Sequence, residues 1–166
     1  MRTRQHLLIV FILLTSTPAM AAEIRVAPGD DLQSAIDQAM PGDVVLLETG
    51  THDGPITTAR NATSEAPIVL RGEGDAVLRA NDRVVDIAHA YFAIENLQID
   101  AEFAENRVIR VRDEGVGFRL TESEVRNARR NCVDIRNTSE ILIESSLIHH
   151  CLNWDGSRSD AHGISA

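Results

Sequence analysis

The chain has 166 residues and a formal net charge of −9 at pH 7, and all 16 of its basic residues are arginine. This length is enough for one domain with a buried core. The acidic balance argues against a nucleic-acid partner, because proteins that bind nucleic acids carry basic surfaces. An acidic polymer would also be repelled, unless a divalent cation or a local cluster of arginines bridges the contact.

The first 21 residues have the pattern of a secretory signal peptide. Arg2 and Arg4 give a positive start, residues 7–14 are apolar, and Ala19 and Ala21 form a small-x-small cleavage site. The apolar run is shorter than a membrane span, and the alternative reading is an uncleaved N-terminal anchor. We expect a secreted or periplasmic protein without membrane contact after cleavage. Its mature net charge is −11, from 14 arginines and 25 acidic residues (14 − 25).

The mature chain begins with one short helix and then changes to strands and turns. Apolar residues recur at helical spacing over 32–39, and Asp30 or Asp31 can cap the helix. Pro41 and Gly42 end it. Strands are then predicted at 44–47, around Ile56 and over 67–72, with a turn at 49–54.

A repeat of 24 residues dominates the rest of the chain. Similar four-residue strands begin at 84, 108 and 132, and each is followed by a second apolar strand, at 92–99, 118–125 and 141–148. Such a period, with two strands and turns but no helix in each repeat, is typical of a β-solenoid. The helix would cover the open first coil. Residues 163–166 resemble the start of another repeat, so we expect a fragment of a longer protein.

The early segments also resemble a known group of proteins. The order of capping helix, Pro-Gly-Asp at 41–43, Gly-Thr-His-Asp-Gly at 50–54 and Ala-Pro-Ile-Val-Leu-Arg-Gly at 66–72 is similar to the start of pectin-lyase-like proteins. The resemblance implies an all-β, right-handed parallel β-helix over residues 22–166. That superfamily includes polysaccharide lyases, some glycoside hydrolases and uronan epimerases.

One outward column of the repeat carries charge. If the apolar residues of the three repeated strands point inward, Asp86, Arg110 and Asp134 point outward and stack ~4.8 Å apart. The column is either a charge-alternating surface ladder or the floor of a groove that binds a sugar chain or a cation. On the second reading Arg110 is a candidate substrate-binding residue. Arg136 is also a candidate, because it could neutralise a uronate or abstract a proton.

The long connection over 149–163 is the other candidate site, because function concentrates on long loops of rigid scaffolds. Trp154 could stack under a sugar ring, and Asp155 and Asp160 are oxygen donors suited to Ca²⁺. His162 could act as acid or base, and Arg158 could neutralise a uronate or abstract a proton. The alternative is a solvated, turn-rich loop.

The two cysteines, Cys132 and Cys151, are either joined in an oxidising compartment or both free. The resemblance implies a monomeric lyase of acidic, uronate-containing polysaccharide that abstracts the proton beside the uronate carboxyl after Ca²⁺ or arginine has neutralised it. The pattern departs from those lyases, since the strand-end Asp-His pair is missing and the chain has no lysine. A non-catalytic, polysaccharide-binding or adhesin-type β-helix is the alternative, and a hydrolase or epimerase also stays open.

Overall fold

The structure is a computed structural model that describes residues 21–153 and 161–166. Within those residues it contains one short helix, α1 (Leu32–Gln38), and short strands throughout. The predicted signal peptide at 1–21 lies almost entirely outside them. The strands are β1 (Glu23–Val26), β2 (Val44–Leu47), β3 (Thr51–Asp53), β4 (Ile56–Thr57), β5 (Ile68–Gly72), β6 (Val77–Arg79), β7 (Val85–Ile87), β8 (Phe92–Glu95), β9 (Gln98–Ala104), β10 (Ile109–Val111), β11 (Arg119–Thr121), β12 (Glu124–Ala128), β13 (Val133–Ile135), β14 (Leu142–Glu144), β15 (Leu147–Cys151) and β16 (Ile164–Ser165).

The described strands form three parallel sheets that wrap around one core. Sheet A has the order β1-β2-β5-β8-β11-β14, sheet B β3-β6-β9-β12-β15 and sheet C β4-β7-β10-β13-β16. Each strand pairs with the equivalent strand of the next coil, and Arg110 lies in register between Asp86 and Asp134. The parallel β-helix and its 24-residue coil, both predicted from the sequence, are therefore confirmed.

Each regular coil contains three strands, whereas the sequence predicted two. The predicted strand at 92–99 is divided into β8 and β9 by Asn96, whose φ is 49°. Glu122 and Ser145 adopt the same left-handed conformation at the equivalent positions, with φ of 51° and 49°. The Asn96 side-chain amide donates to the carbonyl of Gly72 at 2.9 Å, which ties this turn to the previous coil. Residues 51–53, predicted within a turn, form the short strand β3.

The predicted helix is present and lies at the start of the solenoid. Asp31 is its N-cap, and its carboxylate accepts a hydrogen bond from the Ser34 amide at 3.0 Å. Leu32, Ala35 and Ile36 form the buried face, as the helical spacing predicted. The helix packs against β1 and β4 and so covers one end of the core.

Stacked aliphatic side chains hold the coils together. Leu70, Ile94 and Leu120 follow one another in register along sheet A, and each is fully buried. Burial of a side chain of this size contributes about 1.5–3 kcal/mol relative to exposure. In sheet C, Val85 and Ile109 form the equivalent buried column. Because the core is continuous, the outward residues between these positions are held on a rigid surface.

A disulfide joins Cys132 to Cys151, with their Cα atoms 5.5 Å apart. The structure therefore contains the bonded alternative rather than free thiols. The bridge links the start of β13 in sheet C to the end of β15 in sheet B. Neither described range contains a helix that is long and apolar enough to cross a membrane.

Candidate functional site

The outer surface of sheet C carries a cluster of arginines, which we call the arginine face. Within the described residues it combines five arginines with two buried aspartates, and Asp82 and Glu114 lie within electrostatic range of Arg83 and Arg112, so the local charge is +1 (5 − 4) on a chain whose net charge is −9. The members belong to consecutive coils and recur with the 24-residue period. They are Arg83, Arg107, Arg110, Arg112 and Arg136, with Asp86 and Asp134.

Asp86 is buried beneath two arginines. Its side chain accepts hydrogen bonds from Arg83 Nη1 at 3.0 Å and from Arg112 Nε at 2.7 Å. Burial by itself would raise the pKa of Asp86. The hydrogen bonds from Arg112 and the charges of Arg112, Arg83 and Arg110 outweigh this effect and hold that pKa below its ordinary value. Asp86 is therefore an ionised structural anchor for Arg112.

Asp134 repeats this arrangement two coils further on. Arg136 Nε donates to its Oδ2 at 2.9 Å and Asn131 Nδ2 donates to its Oδ1 at 3.2 Å. Arg107 Nε lies 2.8 Å from Oδ2, in an ion pair whose orientation does not give a hydrogen bond. Burial would raise the pKa of Asp134, but the Arg136 hydrogen bond and the Arg107 charge hold it below its ordinary value.

Arg110 differs from its neighbours because both flanking carboxylates are already paired with other arginines. Within the described residues it makes no salt bridge, and its Nε is buried without a hydrogen-bond partner. The sequence predicted an alternating ladder in which Arg110 could pair with Asp86 and Asp134, and the structure does not contain those pairs. An unpaired, half-buried guanidinium is suited to binding an anion from solution.

The predicted acid or base, His162, lies at the edge of the arginine face. Its backbone amide donates to Asn131 Oδ1 at 3.0 Å, and its carbonyl accepts from the Cys132 amide at 3.0 Å. Asn131 in turn contacts Asp134. The residue itself is exposed. Arg110 and Arg136 lie on the arginine face, whereas His162 lies beside Asn131 at the start of β13, and the chemical roles of all three residues remain predictions.

Four other predicted site residues lie outside the described part of the chain: Trp154, Asp155, Arg158 and Asp160. Among the residues that the structure describes, no group of three or more His, Cys, Asp or Glu could hold a metal ion. Asp86 and Asp134 do not fit a Ca²⁺ site, because each is buried and neutralised by two arginines. The predicted calcium site therefore depends on Asp155 and Asp160.

Three arginines of this surface were missed in the sequence interpretation. Arg112 is two residues after Arg110, so strand alternation places it on the same face. Arg83 and Arg107 are 24 residues apart, which is the coil period. Both signals were present in the sequence, although neither shows which carboxylate each arginine would bind.

A groove of about 420 Å³ lies between the edges of sheets B and C, and its charge is of the opposite sign. It is lined by three acidic residues, Asp53, Asp82 and Glu102, around Arg79. Arg79 pairs with Asp53 at 3.2 Å and with Glu102 at 3.4 Å. This groove is less suited to an acidic polymer than the arginine face.

Comparison with known proteins connects the fold to polysaccharide lyases. No protein-family model and no curated protein matches the chain. Among solved structures, an alginate lyase from Paenibacillus sp. str. FPU-7 matches 76% of this chain and 44% of its own, with 24% identity and a TM-score of 0.63. The pectate lyase Pel9A matches 86% of this chain and 43% of its own, with 18% identity and a TM-score of 0.72.

A variant of the PL6 family alginate lyase AlyGC matches 83% of this chain and 21% of its own, with 19% identity and a TM-score of 0.60. The chain therefore spans less than half the length of each of these three lyases. At these identities, the shared feature is the parallel β-helix fold.

Proposed function

We propose that this chain belongs to a secreted or periplasmic, monomeric lyase of acidic, uronate-containing polysaccharide, with the arginine face as its substrate surface. The observation that carries the proposal is the unpaired Arg110 between two carboxylates that other arginines already neutralise. A uronate carboxylate would supply the missing partner. The fold shared with alginate and pectate lyases supports the same class of reaction.

The chemistry assigned to this face is β-elimination. Arg110 and Arg136 would neutralise the uronate carboxylate, which makes the neighbouring C5 proton easier to remove. A neutral His162 imidazole would take that proton as general base. The electron pair forms the C4–C5 double bond as the C4–O bond breaks, and the leaving oxygen is protonated. Trp154 remains a proposed substrate contact and Arg158 a proposed catalytic residue, and Ca²⁺ bound by Asp155 and Asp160 would add charge neutralisation.

Two features of the arginine face argue against the alternative functions, a sugar-binding module and a glycoside hydrolase. The outward positions of β7, β10 and β13 hold Asp86, Arg110 and Asp134, so this described surface does not offer the stacked aromatic rings of a typical sugar-binding platform. A hydrolase needs one carboxyl group that is protonated near neutral pH. Asp86 and Asp134 do not provide it, because their arginine partners lower both pKa values.

The test measures unsaturated product by ultraviolet absorbance on a panel of uronate polymers, with and without a chelator, for the whole chain and two variants. Arg110→Gln removes the unpaired guanidinium, and Arg119→Gln is the matched control on sheet A of the same coil. Loss of a charge-assisted hydrogen bond worth about 1.5–3 kcal/mol corresponds to a decrease of about 10- to 150-fold in kcat/KM. We expect that decrease for Arg110→Gln alone.

The outcomes separate the proposed functions. Product formation that depends on Arg110 supports the lyase, and its loss on chelation would support the calcium prediction. Binding of the polymer without product would favour the non-catalytic, polysaccharide-binding alternative. If a folded sample neither binds nor cleaves any uronate polymer, or if both variants behave alike, the proposal is wrong.

A further inference from the structure

A second cluster of chemically active side chains lies on the outer surface of sheet B, away from the arginine face. Arg126 and His149 are register partners on β12 and β15. Arg126 pairs with Asp100 at 2.9 Å and with Glu124 at 2.7 Å. His149 Nε2 lies 2.8 Å from Glu124 Oε1. These contacts connect His149 to a fixed network of charges.

The network determines which ring nitrogen of His149 carries hydrogen. Glu124 Oε1 lies 2.7 Å from Arg126 Nη1 in an ion pair and 2.8 Å from His149 Nε2. The carboxylate is therefore ionised and can only accept. When His149 donates Nε2–H to this carboxylate, its Nδ1 carries a lone pair and acts as an acceptor.

The lone pair of His149 faces a second imidazole. His149 Nδ1 contacts His150 Nδ1, and the two ring centroids are 4.6 Å apart at an interplanar angle of 73°. Adjacent side chains of a regular strand point in opposite directions, but these two rings converge. His150 has a φ of 53°, so the backbone turns and brings its ring toward that of His149.

The backbone on either side of this pair is held in place. Cys151 is fixed by the disulfide to Cys132, and the amide of Leu152 donates to the carbonyl of Ala128 at 2.9 Å. On the other side, Glu124 orients the His149 ring. The two imidazole nitrogens are therefore close together before any ligand binds. This arrangement reduces the conformational entropy that the side chains would lose on binding.

This arrangement has the chemical features of a metal-binding histidine pair. Imidazole nitrogen suits Zn²⁺, Cu²⁺ and Ni²⁺, whereas Ca²⁺ takes oxygen ligands. Metal-bound histidines commonly donate their other N–H to a carboxylate, as His149 does to Glu124. Asp100, Glu124 and Arg126 give the surroundings a charge of −1 (1 − 2), which favours a cation.

We propose that His149 and His150 bind one divalent transition-metal ion through their Nδ1 atoms. The two Nδ1 atoms must move apart to place an ion between them, since each Zn–N bond is about 2.0–2.1 Å long. The hydrogen that lies between the two rings moves to the exposed Nε2 of His150. Among the residues that the structure describes, no third His, Cys, Asp or Glu joins the pair, and water can occupy further coordination positions.

The test is titration of the full chain with Zn²⁺ and, separately, with Cu²⁺, by calorimetry and electron paramagnetic resonance. We expect one ion per chain and a Cu²⁺ spectrum with nitrogen hyperfine structure from two imidazoles. His149→Gln and His150→Gln should each weaken binding at least tenfold, and His89→Gln is the control in the sheet C connection. Glu124→Gln should weaken binding by about 10- to 100-fold, the usual effect of removing an outer partner.

Circular dichroism shows whether each variant keeps the wild-type β-helix, and Glu124→Gln leaves both nitrogens in place. Absence of binding by the folded wild-type chain would overturn the proposal. Binding that survives both histidine substitutions, or that His89→Gln removes equally, would also overturn it. The readout is the metal alone, so the result is independent of the lyase proposal.

Discussion

Replacement of Asp86 by asparagine tests whether the arginine face is held from beneath by buried carboxylates. The Asp86 side chain is 6% exposed and is paired with Arg83 and Arg112, whose side chains are 24% and 42% exposed. Breaking a buried pair costs about 3–5 kcal/mol. Because both arginines keep part of their hydration, we expect a loss near the lower limit, about 3 kcal/mol in the free energy of unfolding. At this chain length, that is about 6–12 °C in Tm.

Asp53→Asn is the matched control, because it removes one charge from a pair that water screens. Asp53 and its partner Arg79 are 79% and 48% exposed, and such pairs contribute at most about 1 kcal/mol. Urea unfolding at neutral pH, followed by circular dichroism, measures both losses. Equal losses for Asp86→Asn and Asp53→Asn would refute the inference that burial makes the Asp86 pair strong.

The difference in stability between the wild type and Asp86→Asn should depend on pH. The folded-state pKa of Asp86 is lowered, so its contribution to stability is fully present above the unfolded-state pKa of about 3.9. The contribution is lost as the pH falls through the folded-state pKa. The stability difference between wild type and Asp86→Asn should therefore close in strong acid. A difference that stays constant through that range would show that charge is not its source.

Two further predictions concern the links between coils. Reduction of the Cys132–Cys151 bridge, whose cysteines are 19 residues apart, should lower the free energy of unfolding by about 3 kcal/mol. The urea midpoint of the double variant Cys132→Ala, Cys151→Ala should not respond to reductant, and no response in the wild type would contradict the prediction. Asn96→Ala loses the bond to Gly72 and leaves alanine at positive φ, so it should cost about 1–3 kcal/mol in the same assay. Asn96→Gly should cost less, because glycine accepts that backbone conformation, and equal costs would exclude backbone strain.

Much of the fold could be predicted because the coil period repeats the same core residue types. The strands that carry Asp86, Arg110 and Asp134 were predicted with the register that the structure shows. The third strand of each coil was missed because its boundary is a single left-handed residue. Asn96 is a familiar residue for that conformation, but Glu122 and Ser145 give no such signal.

The contacts of the arginine face were less predictable from the sequence, because a long arginine side chain can reach several different carboxylates. Arg110 and Arg136 could be placed on one face from strand alternation alone. Asp86 pairs with Arg83 and Arg112 rather than with Arg110. This choice depends on the side-chain conformations of the arginines, which the sequence spacing does not determine. The convergence of His149 and His150 depends on a positive φ that their sequence does not indicate.

The connection between β15 and β16 is longer than its equivalent in the preceding coil, yet the strands that it joins keep the regular alignment of the solenoid. Val133 pairs with Ile164, 31 residues later (164 − 133), whereas Ile109 pairs with Val133 after 24 (133 − 109). The extra residues leave the hydrogen-bonded alignment of sheet C unchanged, and loop-closure entropy grows only slowly with length. Sheet C therefore keeps its strand alignment across connections of different length, so the position of a coil is determined by its core and its backbone hydrogen bonds rather than by the number of residues that precede it.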